Sequence, residues 1–146
     1  MARLGSFEEQ RRYTSFVPFA WIQTGLVEAE LALRSNKPDV ALSTVQSMRV
    51  IMSQLGLRFM LPKVIFLEAK VLISLGRVPE ARRTLQEAEQ IAEAIGSRRT
   101  LWEIHLAQAA VAASEGDHSL AEAYRQTARE IVESMAATLA SEELQF

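Results

Sequence analysis

The side chains best suited to chemistry in this 146-residue chain are two histidines, two carboxylate pairs and one Arg-Arg-Trp cluster. His105 and His118 lie 13 positions apart, and neither belongs to an H-E-x-x-H segment, which would set two imidazoles on one helix face for zinc. Cysteine is absent, so disulfides, thiolate nucleophiles and Cys-based zinc sites are excluded together. Neither G-x-x-x-x-G-K-[ST] nor G-x-G-x-x-G occurs, and no phosphate-cradling loop is encoded by those motifs. The expectation is no catalytic residue, no metal and no cofactor. His118 reads as a solvated turn residue and His105 as the border residue of a helix.

The carboxylate pairs have a plainer reading. Glu8-Glu9 and Glu142-Glu143 are adjacent, so on a helix each pair diverges by about 100° and cannot share a proton across a cleft. They suit helix N-termini, where negative charge meets the positive end of the macrodipole. Ser6 with Glu9 has the spacing of a capping box, and Ser141 before Glu142 and Glu143 looks like the start of another helix. Arg98-Arg99 with Trp102 has the composition of an interface anchor. The simpler reading puts the arginines at a solvated helix start and Trp102 in the gap between the second and third helical units.

Bulk properties narrow the class further. The net charge is −2, and the sixteen basic residues, mostly arginine, are scattered, so no global basic field exists for nucleic acid or an anionic membrane. No apolar run approaches the roughly 20 residues that cross a bilayer. The N-terminus MARLGSFEEQRR has no apolar core of a signal peptide, and Arg11-Arg12 is too short for a targeting signal. With no cysteine, a cytoplasmic location is the default expectation.

The elements that would position any site follow from a repeat. Ala29, Ala69 and Ala109 recur at an interval of 40, and so do Ala41, Ala81 and Ala121. Ile51, Ile91 and Ile131 keep the same offset, as do Asn36, Gly76 and Gly116. Leu31, Val71 and Val111 hold an apolar side chain in register. Each unit reads as two helices. Pro62 suits a first helical turn, Gly76 ends that helix, Pro79 starts its partner and Gly96 stops it. In the first unit Pro18 opens, Asn36 closes, Pro38 reopens and Gly56 closes. The third runs from about Arg98 to Glu115, turns at Gly116-Asp117 and continues from about Ser119 to Leu139.

Apolar spacing agrees with helices. Ile65, Ala69, Leu72 and Ile73 form one i, i+3/i+4 stripe, and Ala81, Leu85, Ala88 and Ile91 form another. No stretch alternates with period two, so no sheet is expected. The alanines let helix axes approach to the near end of the usual range of about 8–10 Å. A lone hairpin cannot bury its apolar faces, so the units must stack. The predicted architecture is all-α, a superhelix of three stacked antiparallel helical hairpins. Residues 18–57, 58–97 and 98–140 make the hairpins, 1–17 form a helical remnant or cap, and 141–146 begin a further helix. Phe7, Tyr13, Phe16, Phe19 and Trp21 crowd the N-terminal end, which could make it a surface for homodimerisation.

The segment LGRVPEARRTLQEA, from Leu75 to Ala88, resembles the tetratricopeptide (TPR) signature through Ala69, Gly76, Ala81, Leu85 and Ala88. The third unit supplies Ala109, Gly116, Ala121 and Ala128, with Arg125 where a large apolar residue is usual and Tyr124 beside it to fill the space. The first unit departs most, with Asn36 for the glycine and Met48 for the later alanine. The 40-residue period exceeds the family's usual 34, adding about 1.7 helical turns. Such long repeats look like the helical region of bacterial MalT-like activators and of cyclase- or ATPase-linked signalling proteins. The stretches Ile95 to Trp102, Ala128 to Val132 and Ser141 to Leu144 are similar to its C-terminal end, which implies that Phe146 is a boundary within a longer chain.

The resemblance implies a protein-interaction scaffold in which the first helix of each hairpin lines a concave groove. By the repeat register its partner-binding positions are Gln23, Leu26, Glu30 and Leu33, then Lys63, Phe66, Lys70 and Ile73, then Glu103 and Leu106, with Ala110 beyond. The expected guest is a helix or an extended peptide with apolar anchors. A self-association module that dimerises neighbouring domains, or an effector-sensing helical domain, is the alternative.

Overall fold

The computed structural model describes the backbone of residues 7–144 and the side chains of residues 19–144. The Ser6–Glu9 capping pair, Glu8-Glu9, Arg11-Arg12, the side chains of Phe7, Tyr13 and Phe16, and Phe146 lie outside what it describes. Among the described residues there are six α-helices and no strand: α1 (Phe7–Arg34), α2 (Pro38–Leu55), α3 (Leu61–Ser74), α4 (Val78–Ile95), α5 (Arg98–Ser114) and α6 (His118–Glu143). They pair as α1/α2, α3/α4 and α5/α6, and the pairs join through α2/α3 and α4/α5. The all-α stack of three hairpins expected from the repeat is what the chain forms.

One turn closes all three hairpins, and the same bonds and positive φ also end α2 at Gly56 and α4 at Gly96. Arg77 N donates to Leu72 O at 2.9 Å and Gly76 N to Ile73 O at 3.0 Å, which closes the end of α3. The same pair of bonds recurs 40 residues earlier (Lys37 N to Ala32 O, Asn36 N to Leu33 O) and 40 later (Asp117 N to Ala112 O, Gly116 N to Ala113 O). The motif needs a residue with positive φ, which is 72° at Gly76, 84° at Gly116 and 57° at Asn36. Asn36 is the only non-glycine among the described residues in that region, as suits asparagine. Asp117 adds a side-chain cap, its Oδ1 accepting from Leu120 N at 3.0 Å.

The repeated alanines lie inside. Ala29, Ala69 and Ala109, and Ala41, Ala81 and Ala121, are all buried. A larger core gathers Ile22, Val45, Met48, Met52, Ile65, Leu85 and Ile104, and a smaller one around Ala41, Leu42, Val71, Leu72 and Ala81 lies toward the hairpin turns. Gly25 shows how tight one crossing is: a Cβ there would sit 2.6 Å from Met48 Sδ. Along the stack α1 touches α3 and α3 touches α5, whereas no such contact joins α2 to α4 or α4 to α6. The first helices are therefore the inner row, and the stack curves around them.

Two boundaries differ from expectation. α1 begins at Phe7 and passes through Pro18. A proline removes one i→i−4 hydrogen bond, which a helix can absorb within its length, so it does not by itself mark a start. α6 runs unbroken to Glu143, so Ser141 opens no new helix; its Oγ instead donates back to Thr138 O at 2.8 Å.

Candidate partner-binding groove

The inner row presents one open cleft of about 210 Å³. α1 contributes Gln23, Leu26 and Glu30, α3 contributes Lys63, Phe66 and Lys70, and α5 contributes Glu103. Three helices meet there because positions 23, 26 and 30 and positions 63, 66 and 70 are the same helical face one repeat apart. Val27 and Leu67 also line the cleft. They occupy one shared register position, and reading apolar pairs at the 40-residue offset would have found them.

Four residues assigned to the groove by register lie elsewhere. Leu33 packs against the smaller core near the hairpin turns, beside Ala41 and Leu72. Ile73 is half-exposed and Ala110 exposed, both outside the cleft. Leu106 faces a different cleft, described below. The shared surface runs through residues 23–30 of α1 and 63–70 of α3 and reaches α5 at Glu103, an extent that a linear register cannot show.

The charges in the cleft are arranged around Phe66. Lys70 Nζ lies 5.8 Å from the Phe66 ring centroid and 3.8 Å from Glu30 Oε1. With Lys63 and Glu103, the cleft carries two groups of each sign around a half-buried aromatic ring. This surface can take an apolar side chain between polar flanks.

Among the described residues no group of three His, Asp or Glu side chains is placed to hold a metal ion. His105 is not at a helix border; it is buried, because its ring stacks on Tyr124 with centroids 5.9 Å apart. Its Nδ1 lies 2.8 Å from Gln108 Oε1, and its Nε2 lies 3.9 Å from Glu89 Oε1. His118 is exposed at the start of α6.

The joints between hairpins carry the buried polar groups. Arg49 Nη1 donates to Glu68 Oε2 at 2.7 Å, and Arg49 Nη2 to Glu87 at 2.5 Å. Burial pulls the Arg49 guanidinium down, but Glu68 and Glu87 outweigh it and hold the group above its ordinary range. At the next joint Gln108 Nε2 donates to Glu89 Oε2 at 2.6 Å, and Arg82 pairs with Glu115.

Trp102 does not fill the gap between the second and third hairpins. It is half-buried in a cleft of about 400 Å³ formed by α5 and α6 alone, with Leu106, Arg125, Ala128, Arg129, Val132 and Glu133. Arg98 donates to Ser134 of α6, so it is engaged within its own hairpin.

No family model and no curated protein matches this chain. A solved structure does: the TPR domain of Arabidopsis FLU, at a TM-score of 0.72 and 17% identity, covering 80% of this chain and 98% of that one. The chain has the fold of a tetratricopeptide domain. No helix among the described residues is long and apolar enough to cross a membrane.

Proposed function

We propose that this chain is a non-catalytic protein-interaction module that holds an extended or helical peptide in the cleft of α1, α3 and α5. The observation that carries the reading is the convergence of Gln23, Leu26, Glu30, Lys63, Phe66, Lys70 and Glu103 on one open surface. At about 210 Å³ the cleft is smaller than the roughly 300–1,000 Å³ of sites that enclose a small molecule. An apolar side chain laid against Phe66, Leu26 and Val27, with polar neighbours over Lys63 and Glu103, fits it better than an enclosed effector. The partner is a protein rather than nucleic acid or membrane, since the cleft's charges balance and the chain's net charge is −2.

The sequence resemblance to MalT-like and cyclase- or ATPase-linked proteins supports placing the module in a larger bacterial signalling protein of the cytoplasm. The open reading frame on either side of the segment checks that placement directly.

The binding reading is tested with peptides selected from a displayed library on the folded chain. Their affinity is compared among the native chain, Phe66→Gln, Lys63→Glu with Lys70→Glu, and Val50→Gln on the outer helix α2. Selected peptides should lose affinity for the first two variants and keep it for the third. Equal affinity for all of them would move the site away from this groove.

A further inference from the structure

Both joints inside the stack are built on one pattern, and each end of the stack carries half of it. The receiving helix offers Val45, Met48 and Met52 on α2, or Leu85, Ala88 and Ala92 on α4, all buried. The incoming helix offers Leu61, Val64 and Val71 on α3, or Leu101, Ile104 and Val111 on α5. A polar pair sits in register at each joint: Arg49 with Glu68 at 2.7 Å, then Glu89 with Gln108 at 2.6 Å.

The 40-residue offset identifies the same positions at the two ends. One step beyond α4, the receiving set on α6 is Arg125, Ala128 and Val132, with Arg129 in the place of Arg49 and Glu89. One step before α3, the incoming set on α1 is Trp21, Thr24 and Leu31, with Glu28 in the place of Glu68 and Gln108. Apart from Ala128, which is buried, these positions are open: Val132 is 44% exposed where Ala92 is 0%, and Leu31 is 62% exposed where Val71 is 0%. The cleft holding Trp102 and Leu106 is where a helix seated like α5 would lie.

We infer that the occupant of this cleft is a second copy of the chain, stacked head to tail, with its α1 along α6 and its Glu28 against Arg129. The charges select this polarity. Head-to-tail stacking recreates the Arg–Glu pair of the first joint, whereas joining two N-terminal ends opposes Glu28 to its copy and joining two C-terminal ends opposes Arg129 to its copy. Forming the pair asks Arg129 to leave Glu122, an exposed partner at 2.6 Å whose hold is weak.

Helix lengths agree with the same seating. α5 starts at Arg98, whose counterpart is Pro18, yet α1 begins 11 residues earlier, at Phe7. α4 ends at Ile95, whose counterpart is Met135, yet α6 runs eight residues further, to Glu143. Because α5 begins directly after α4 ends, a copy of α1 docked on α6 lays these two overhangs side by side, about 16 and 12 Å long at 1.5 Å per residue. Such an interface joins two different surfaces, so every added copy leaves one of each open and the assembly does not close at a dimer. The interface lies apart from the groove and stands independently of what the groove binds.

Sedimentation equilibrium of the chain, from micromolar to millimolar concentration, tests this. The weight-average mass should climb past twice 16.3 kDa without levelling off. Glu28→Arg and Arg129→Glu, both exposed positions whose folding is checked by circular dichroism, should each move association to concentrations at least about tenfold higher. An equimolar mixture of the two variants should restore it, since each then meets an opposite charge. A monomer throughout the range, a plateau at dimer that neither variant shifts, or a mixture no better than its components would each overturn the proposal.

Discussion

Arg49 of α2 and Glu68 of α3 meet at 2.7 Å, and 40 residues later the same two positions are Glu89 and Gln108, again hydrogen-bonded across a joint. The polar pair is thus a property of the stacking register. Removing one member tests its weight. Arg49→Met leaves the Glu68 carboxylate, 8% exposed, without its cation. A loss of about 2 kcal/mol is expected, below the figure for a fully buried pair because Arg49 is itself partly solvated. Arg49→Met with Glu68→Met should cost less than the two single changes together, read by urea denaturation.

The alanine positions make a second prediction. Ala81→Leu forces extra methyl groups into a crossing with no room and should cost about 1–3 kcal/mol. Ala123→Leu, exposed on α6, should change stability by no more than about 0.5 kcal/mol. Comparable effects at the two sites, in thermal or denaturant unfolding, would refute close packing at Ala81.

The hairpin turns give a third. Asn36 holds a φ of 57° that glycine adopts freely, so Asn36→Gly should stabilise the chain by about 0.5 kcal/mol. Gly76→Ala should destabilise it by about 1 kcal/mol. A Cβ at Gly76 meets nothing within 4 Å, so that cost is conformational rather than steric.

Acid dependence supplies a fourth. The Arg129 and Arg125 guanidinium groups hold the Glu122 carboxyl below its usual range, and Arg77 does the same for Glu80. A carboxylate whose folded-state value is depressed adds stability that is complete above the ordinary value of 4.5 and is lost as pH falls through the folded value. Thermal midpoints should therefore fall on acidification below that point. Glu122→Gln should flatten the fall; an unchanged slope in that variant would show that this ion pair does not contribute.

The groove was legible in outline and not in extent. Register placed Gln23, Leu26, Glu30, Lys63, Phe66, Lys70 and Glu103 on the inner helices, and they do line one cleft. It carried Leu33, Ile73, Leu106 and Ala110 along with them, because a repeat offset gives the helical face but not which of its turns the neighbouring helices leave open. His105 was misjudged for a related reason: a polar residue on a helix reads as peripheral until the ring that stacks on it, Tyr124 from another helix, is known.

What the amino-acid order determined alone is the local and periodic part. Alanines at an interval of 40 require close helix crossings, and Asn36, Gly76 and Gly116 provide the positive φ that closes each hairpin. Those constraints act within a few residues or repeat identically, so they can be read without coordinates. Tertiary structure decided which copies of a repeated position are buried. Leu31, Val71 and Val111 look equivalent in sequence, yet of the three only Leu31 is open to solvent, because among the described residues no helix packs on that face of α1. Burial depends on a neighbour, and a neighbour exists only once the chain has stacked.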